Sequence, residues 1–242
     1  MMLAIDIGNT LAKAALFDGN TLVESVSFET DKPELLFNLL ASRKIPSTTL
    51  IAFVKTVPEV FIQKLSAITK VILLDCNTPL PFRIAYRTPE TLGPDRIAAV
   101  AAAYNKFSDR NVLVIDMGTC ITYDFLKDDG VYLGGAISPG INMRFAAMKQ
   151  FTSKLPQVDI LYPVSLIGQT TMESMQSGVM NGVQGEIDAL IAQYEGIYKD
   201  LTVLIGGGDN NYFDKKFRIN IFAVSNLVLE GLKVIMDFNE IR

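Results

Sequence analysis

Three short segments carry residue types that could do chemistry. Asp6-Ile7-Gly8-Asn9-Thr10 ends an apolar run and continues into Leu11, Ala12 and Lys13. A glycine at such a bend lets backbone N–H groups turn outward; with hydroxyl, amide and ammonium groups nearby, they suit a phosphate chain. Asp6 faces the same spot, and Mg²⁺ prefers one or two carboxylates plus substrate oxygens. The plainer role for Asp6 is to satisfy backbone donors in a turn. The motif returns as Asp116-Met117-Gly118-Thr119, and two facing hairpins can hold a nucleotide. The third segment, Gly93-Pro94-Asp95-Arg96, opens an alanine-rich stretch. Proline suits a first helical turn, and helix N-termini attract anions. Asp95 can accept a proton from a hydroxyl, while Arg96 can hold a substrate carboxylate. On spacing alone, a plain helix start with Asp95 favoured by the dipole and Arg96 on the surface stands level with that reading.

Composition narrows the chemistry further. The chain has 242 residues, no histidine, and two cysteines, Cys76 and Cys120. Without histidine there is no Ser-His-Asp or Cys-His arrangement, so a proton-moving group is expected to be a carboxylate. Two thiols build neither a disulfide framework nor a four-thiolate zinc site. A net charge of −4 argues against coating nucleic acid. No apolar run is long enough to span a bilayer, and the N-terminus lacks the charged and apolar regions of a signal peptide. A cytoplasmic protein with no membrane and no nucleic-acid partner is expected. There is no Walker loop, and no Gly-x-Gly-x-x-Gly after the first strand.

The elements that must position these residues come twice. Asp6 opens DIGNTLAKAALFDGN and Asp116 opens DMGTCITYDFLKDDG. Each copy is an apolar run, an Asp-x-Gly-polar bend, a second β-prone run and an Asp-Gly hairpin signal. Third strands are predicted at Leu22–Phe28 and Val131–Ile137. Helical periods mark Glu34–Arg43, Val60–Ile68, Ile97–Phe107, Ile141–Met148 and Leu227–Phe238, and strands are expected at Leu50–Val54, Val71–Leu74 and Thr202–Ile205. Thr170 and Glu173 form a capping box for a long helix. Met172, Met175, Val179, Val183, Ile187 and Ile191 mark one of its faces, which is read as core or subunit interface. Gly178, Gly182 and Gly185 suggest another backbone close by. Gly206-Gly207-Gly208 is either an adenine contact or an ordinary turn.

Taken together, these segments resemble type III pantothenate kinase, of the kinase and ATPase class related to actin and sugar kinases. The resemblance spans nearly the whole chain. It rests on Asp6–Thr10, Gly93–Arg96, Asp116–Thr122 and the run Gly134-Gly135-Ala136-Ile137-Ser138-Pro139-Gly140. It implies an α/β fold of two duplicated actin-like (ribonuclease H-like) domains, mixed sheets flanked by helices, at 1–108 and 109–242. It implies ATP as donor and the primary hydroxyl of pantothenate as acceptor, in the first step of coenzyme A synthesis. Asp95 would be the catalytic base. ATP would be bound by Asp6, Ile7, Gly8, Asn9, Thr10, Leu11, Ala12, Lys13 and Thr119. Pantothenate would be held by Tyr86, Gly93, Pro94, Asp95, Arg96 and Thr171. Asp116 would ligate potassium or ammonium, and Asp6 magnesium. Family members are homodimers with the substrate pocket near the interface, which would give the Met172–Ile191 stripe a use. Departures are Pro94, and Phe53-Val54-Lys55-Thr56-Val57-Pro58 in place of a serine- and valine-rich run; the second is read as touching strand packing alone. Two alternatives remain open: a kinase of the same superfamily acting on a sugar or a short carboxylic acid, and a non-catalytic nucleotide-binding regulator, since fold does not fix function.

Overall fold

The computed structural model describes residues 1–29, 32–213 and 221–240. The chain forms two compact units. One comprises Met1–Ser108, Asp129–Leu133 and Asn226–Arg242; the other comprises Asp109–Asp128 and Gly134–Ser225.

The first unit opens with β1 (Met2–Ile7), β2 (Ala12–Asp18) and β3 (Thr21–Phe28). Alternation explains why these residues are strands: Leu3, Ile5 and Ile7 lie in the core on one face, with Ala4 and Asp6 on the other. The Asp18-Gly19 hairpin signal holds, with Gly19 at φ 53, a conformation that favours glycine. There follow α1 (Glu34–Ala41), β4 (Thr48–Phe53), α2 (Glu59–Ser66), β5 (Lys70–Leu73), β6 (Arg83–Ile84) and α3 (Pro94–Lys106). The sheet order is β3-β2-β1-β4-β5. β1 runs antiparallel to β2 and parallel to β4. Leu36, Leu39 and Leu40 of α1 and Phe61 and Leu65 of α2 join Leu3, Ile5, Ile7 and Ile51 in one core cluster.

The alanines of α3 have a packing reason. Ala98–Ala103 are buried, and the unit is completed by α6 (Leu227–Glu240), which packs against α3 and β1. At their closest approach, a Cβ added to Gly231 would lie 1.7 Å from the Ala98 carbonyl oxygen. Only small residues on both helices permit this. The repeat in sequence divides the chain at 108/109, whereas compactness returns α6 to the first unit.

The second unit repeats the plan with β7 (Val112–Met117), β8 (Cys120–Leu126), β9 (Val131–Pro139), α4 (Ile141–Phe151), α5 (Thr171–Ile197), β10 (Thr202–Gly206) and β11 (Ile221–Ala223). Its strands are ordered β11-β10-β7-β8-β9; the start of β9, Val131 and Tyr132, belongs with the first unit and pairs there with β6. Traversed from β9, this is the order of the first sheet, with β7 antiparallel to β8 and parallel to β10. The predicted duplication is therefore present in topology as well as in motif.

The face of α5 read from its apolar period is core. Met175, Val179, Val183, Ile187 and Ile191 pack with Ile115, Met117, Tyr123 and Phe145; Met172 alone is half exposed, at 50%. This corrects the use of that stripe as a subunit interface: burial within the unit consumes it. Gly178, Gly182 and Gly185 are exposed, and a Cβ at any of them would meet nothing within 4 Å, so among the described residues no neighbouring backbone explains them.

Candidate active site

The two Asp-x-Gly bends are built alike. Asp6 and Asp116 are each a half-buried position between buried neighbours, each followed two residues on by a half-buried glycine and then an exposed polar residue. Both stand on the sheet face opposite their unit's apolar cluster, one residue from the strand end. In the first bend the Gly8 N–H donates to the Leu11 carbonyl at 3.1 Å, closing the turn from Ile7 to Ala12 with Asn9, Thr10 and Leu11 exposed. Lys13 lies opposite Asp6 in the β1–β2 register. In the second bend the Gly118 N–H donates to the Cys120 carbonyl at 2.9 Å, with Thr119 exposed at the tip.

The parallel neighbours bring further residues to these bends. β4 places Ala52 opposite Asp6, and three residues on Lys55 Nζ lies 3.5 Å from the Asn9 carbonyl oxygen. This second ammonium at the first bend was read as a strand-packing departure; its signal in sequence was a lysine just past a strand that neighbours the bend. β10 places Gly206 opposite Asp116. Gly207 then adopts φ 91 and approaches so closely that a Cβ there would lie 2.1 Å from the Met117 carbonyl oxygen. The middle glycine of the triplet, Gly207, thus has a structural reason within its own unit. Asp209, three residues beyond Gly206, has its carboxyl pushed up by burial.

Gly93–Arg96 forms the start of α3 as expected, three residues earlier than the alanine period alone suggested. Gly93 is the N-cap with ψ 129, and Pro94 occupies the first turn. Asp95 Oδ1 accepts the Arg96 backbone N–H at 2.9 Å. Burial pushes the Asp95 carboxyl up, opposed by that N–H and by the Arg96 charge. The net direction for this carboxyl is upward from its ordinary value. Arg96 is buried, at 6% exposure, which removes the surface reading. Its guanidinium lies 5.8 Å from the Tyr86 ring centroid, a cation–π distance, and Tyr86 stacks on Tyr132 at 6.5 Å with planes 3° apart.

Gly93 is sterically tied to this carboxylate. A Cβ there would lie 2.4 Å from Asp95 Oδ1, the movable end of a side chain. Gly93→Ala is therefore expected to displace the carboxylate while the helix persists. Turnover should fall by about 10²-fold, the loss a misplacement near 1 Å can bring, with little change in melting temperature. A coupled ADP-release assay beside a thermal melt checks this; unaltered turnover would show that the carboxylate position is not critical.

The first unit brings together Tyr86, Gly93, Pro94, Asp95 and Arg96, and it also contains the Asp6–Lys13 bend. Asp116, Thr119 and Thr171 belong to the second unit. Thr171 is the exposed first residue of α5, after the Thr170 cap. The capping box forms with a variation: Thr170 Oγ1 accepts the Glu173 N–H at 3.2 Å, while Glu173 Oε2 accepts from Gln169 N at 2.8 Å. Among the described residues no three His, Cys, Asp or Glu side chains gather where they could hold a metal. A divalent ion here would need oxygens from a bound phosphate chain. No helix among the described residues is long and apolar enough to cross a membrane.

Comparison with known proteins bears on what this chemistry acts upon. Residues 2–193 match the family described as type III pantothenate kinase. A curated relative of that name from Christiangramia forsetii is 42% identical, covering 99% of this chain and 99% of its own. A solved structure of a Baf family protein from Campylobacter jejuni superposes with a TM-score of 0.65 at 22% identity, over 99% of this chain and 100% of that one. A glucokinase from an Antarctic psychrotroph gives 0.51 at 15% identity, over 98% of each chain. At such identities the two structures speak for the fold alone, that of actin-like sugar kinases.

Proposed function

The chain belongs to the type III pantothenate kinase family, and from that premise we propose how its residues divide the work of phosphorylating pantothenate with ATP, the first step of coenzyme A synthesis. The observation that carries the reading is the Asp95–Arg96 pair: a desolvated carboxylate above its ordinary pKa beside a buried guanidinium, at a helix N-terminus. Phosphoryl transfer asks a protein mainly for positioning, charge neutralisation and one group that orients or deprotonates the nucleophile. Asp95 accepts the proton of the primary hydroxyl. Arg96, fixed against Tyr86, binds the pantothenate carboxylate, which a guanidinium can grip bidentately. Gly93, Pro94 and Thr171 complete the pantothenate contacts. The bend from Asp6 to Lys13 presents N–H, hydroxyl and ammonium groups to phosphate oxygens, and Thr119 contacts the nucleotide.

Asp6 fits magnesium, because one or two carboxylates beside a phosphate-binding bend are the protein share that ion ordinarily takes, and Asp6 is half-buried there. Asp116, placed identically in its unit, fits a monovalent cation, potassium or ammonium. Bound there, such ions supply positive charge that a chain of net charge −4 lacks. The protein is read as acting in the cytoplasm, where two free thiols, Cys76 and Cys120, stay reduced. ADP release from ATP, magnesium and potassium should require pantothenate and should fall when sodium replaces potassium. Turnover indifferent to potassium would remove the Asp116 cation role; sugar-dependent turnover without pantothenate would overturn the substrate.

The chain works as a homodimer whose contact lies on the glycine face of α5, not on its apolar stripe. Ser177 and Asn181 bond the carbonyls of Leu166 and Ser165, keeping Leu166 and Ile167, exposed at 81% and 78%, alongside that face. Glycine inside a helix costs about 1 kcal/mol relative to alanine, a cost that close approach of a second copy would offset. Gly182→Leu should shift light-scattering mass from dimer to monomer without unfolding the chain; a persistent dimer would locate the contact elsewhere.

A further inference from the structure

Between α4, α5 and the β8–β9 strands lies a network of charged and polar groups that none of the roles above employs. Arg144 of α4 donates from its guanidinium to Glu186 Oε2 of α5 at 2.6 Å, to Ser138 Oγ at 2.8 Å and to the Pro139 carbonyl at 2.8 Å. Tyr123 of β8 donates its hydroxyl to Glu186 Oε1 at 2.9 Å. Burial alone would raise the Glu186 carboxyl, but bonds from Arg144, Ser138 and Tyr123 bring it below its ordinary range. Arg144 and Glu186 are both largely buried, at 22% and 27% side-chain exposure.

The segment that Arg144 grips continues directly into contact with the second bend. The Gly140 N–H donates to the Thr119 carbonyl at 3.1 Å. A Cβ at Gly140 would lie 2.3 Å from the Gly118 carbonyl oxygen and 2.5 Å from that of Thr119, so the two backbones are in contact. Ser138–Gly140 is therefore fastened on one side to α4 and α5 and on the other supports the tip of the Asp116–Thr119 bend.

We propose that Arg144 and Glu186 are positioning residues for that bend: by fixing Ser138–Gly140 they set nucleotide affinity without touching the nucleotide. The inference rests on the reading that Thr119 contacts ATP. A guanidinium is needed for the task, because its planar fork serves a carboxylate, a hydroxyl and a carbonyl together, which an ammonium does less well.

Steady-state kinetics on the intact enzyme test this. Arg144→Gln and Glu186→Gln should each raise the KM for ATP by about three- to thirty-fold, the range for couplings of this kind, and change the KM for pantothenate by less than about twofold. The double variant should be no worse than either single one, because the pair acts as a unit. Arg144→Lys should recover part of the loss. Should the glutamine variants fold poorly in a thermal melt, Tyr123→Phe, which removes one hydroxyl bond, should give a smaller rise in the same direction. Additive losses, equal losses for both substrates, or no change in ATP KM would overturn the proposal. Thr119→Ala serves as reference: if it too leaves ATP KM unchanged, the nucleotide reading of the bend fails, whereas a rise confined to Thr119→Ala defeats the positioning role alone.

Discussion

Asp95→Asn is expected to lower turnover by about 10²–10⁴-fold, the usual contribution of a positioned base, with ATP affinity retained. The same variant should melt at the wild-type temperature or above it. Burial raises the folded-state pKa of this carboxyl, so the folded protein binds the proton more tightly than the unfolded chain does. Ionisation then costs stability above the folded pKa, and the cost disappears below the unfolded one. At neutral pH the wild type bears that cost and the asparagine variant does not. In the wild type the acid limb of kcat/KM should lie above the position of an ordinary carboxylate, activity falling as pH drops through it. A coupled assay over pH together with differential scanning calorimetry reads all of this. A near-wild-type rate would move the base elsewhere, and a lowered melting temperature would contradict the desolvation account.

Gly207→Ala should have the largest effect on stability around the second bend. At φ 91 an L side chain is strained, and the added methyl would meet the Met117 carbonyl, backbone that cannot swing aside. Left-handed strain of roughly 1–2 kcal/mol and overpacking of roughly 1–3 kcal/mol add to about 2–5 kcal/mol. That corresponds to a melting temperature lower by roughly 5–15 °C for a chain of this length. Because Gly206 stands opposite Asp116, residual activity should also demand more potassium. Intact stability in calorimetry would mean that the β10 turn relaxes freely.

The duplication was legible because its marks are local: Asp-x-Gly, the Asp-Gly turns and strand alternation each lie within a dozen residues. The Thr170 cap and the Pro94 helix start were legible for the same reason. Arg96 was not, since its burial depends on Tyr86 and the packing of α3, and an Asp-Arg pair at a helix start reads equally well as surface. The α5 stripe was legible as an apolar face, core or interface, but not which of the two, because periodicity names a buried face without naming what buries it. Lys55 lies near Asn9 through a parallel pairing 46 residues apart in sequence. Arg144 and Glu186 meet across 42 residues. Such meetings follow from topology, and no window along the chain displays them.

The return of α6 to the first unit has a consequence for how the protein is made. Gly231 seats against Ala98, and the sheet face bearing β1 is covered by a helix translated more than a hundred residues later. A ribosome delivers β1–β5 and α3 long before their cover, so the nascent first unit must wait with apolar surface exposed, the condition under which chaperones are recruited. The second unit's strands and α5 emerge meanwhile and can complete their own core first. The first unit, though synthesised first, can therefore close its core only after α6 has emerged. Emergence of α6, not of residue 108, is the moment at which α3 acquires its final packing.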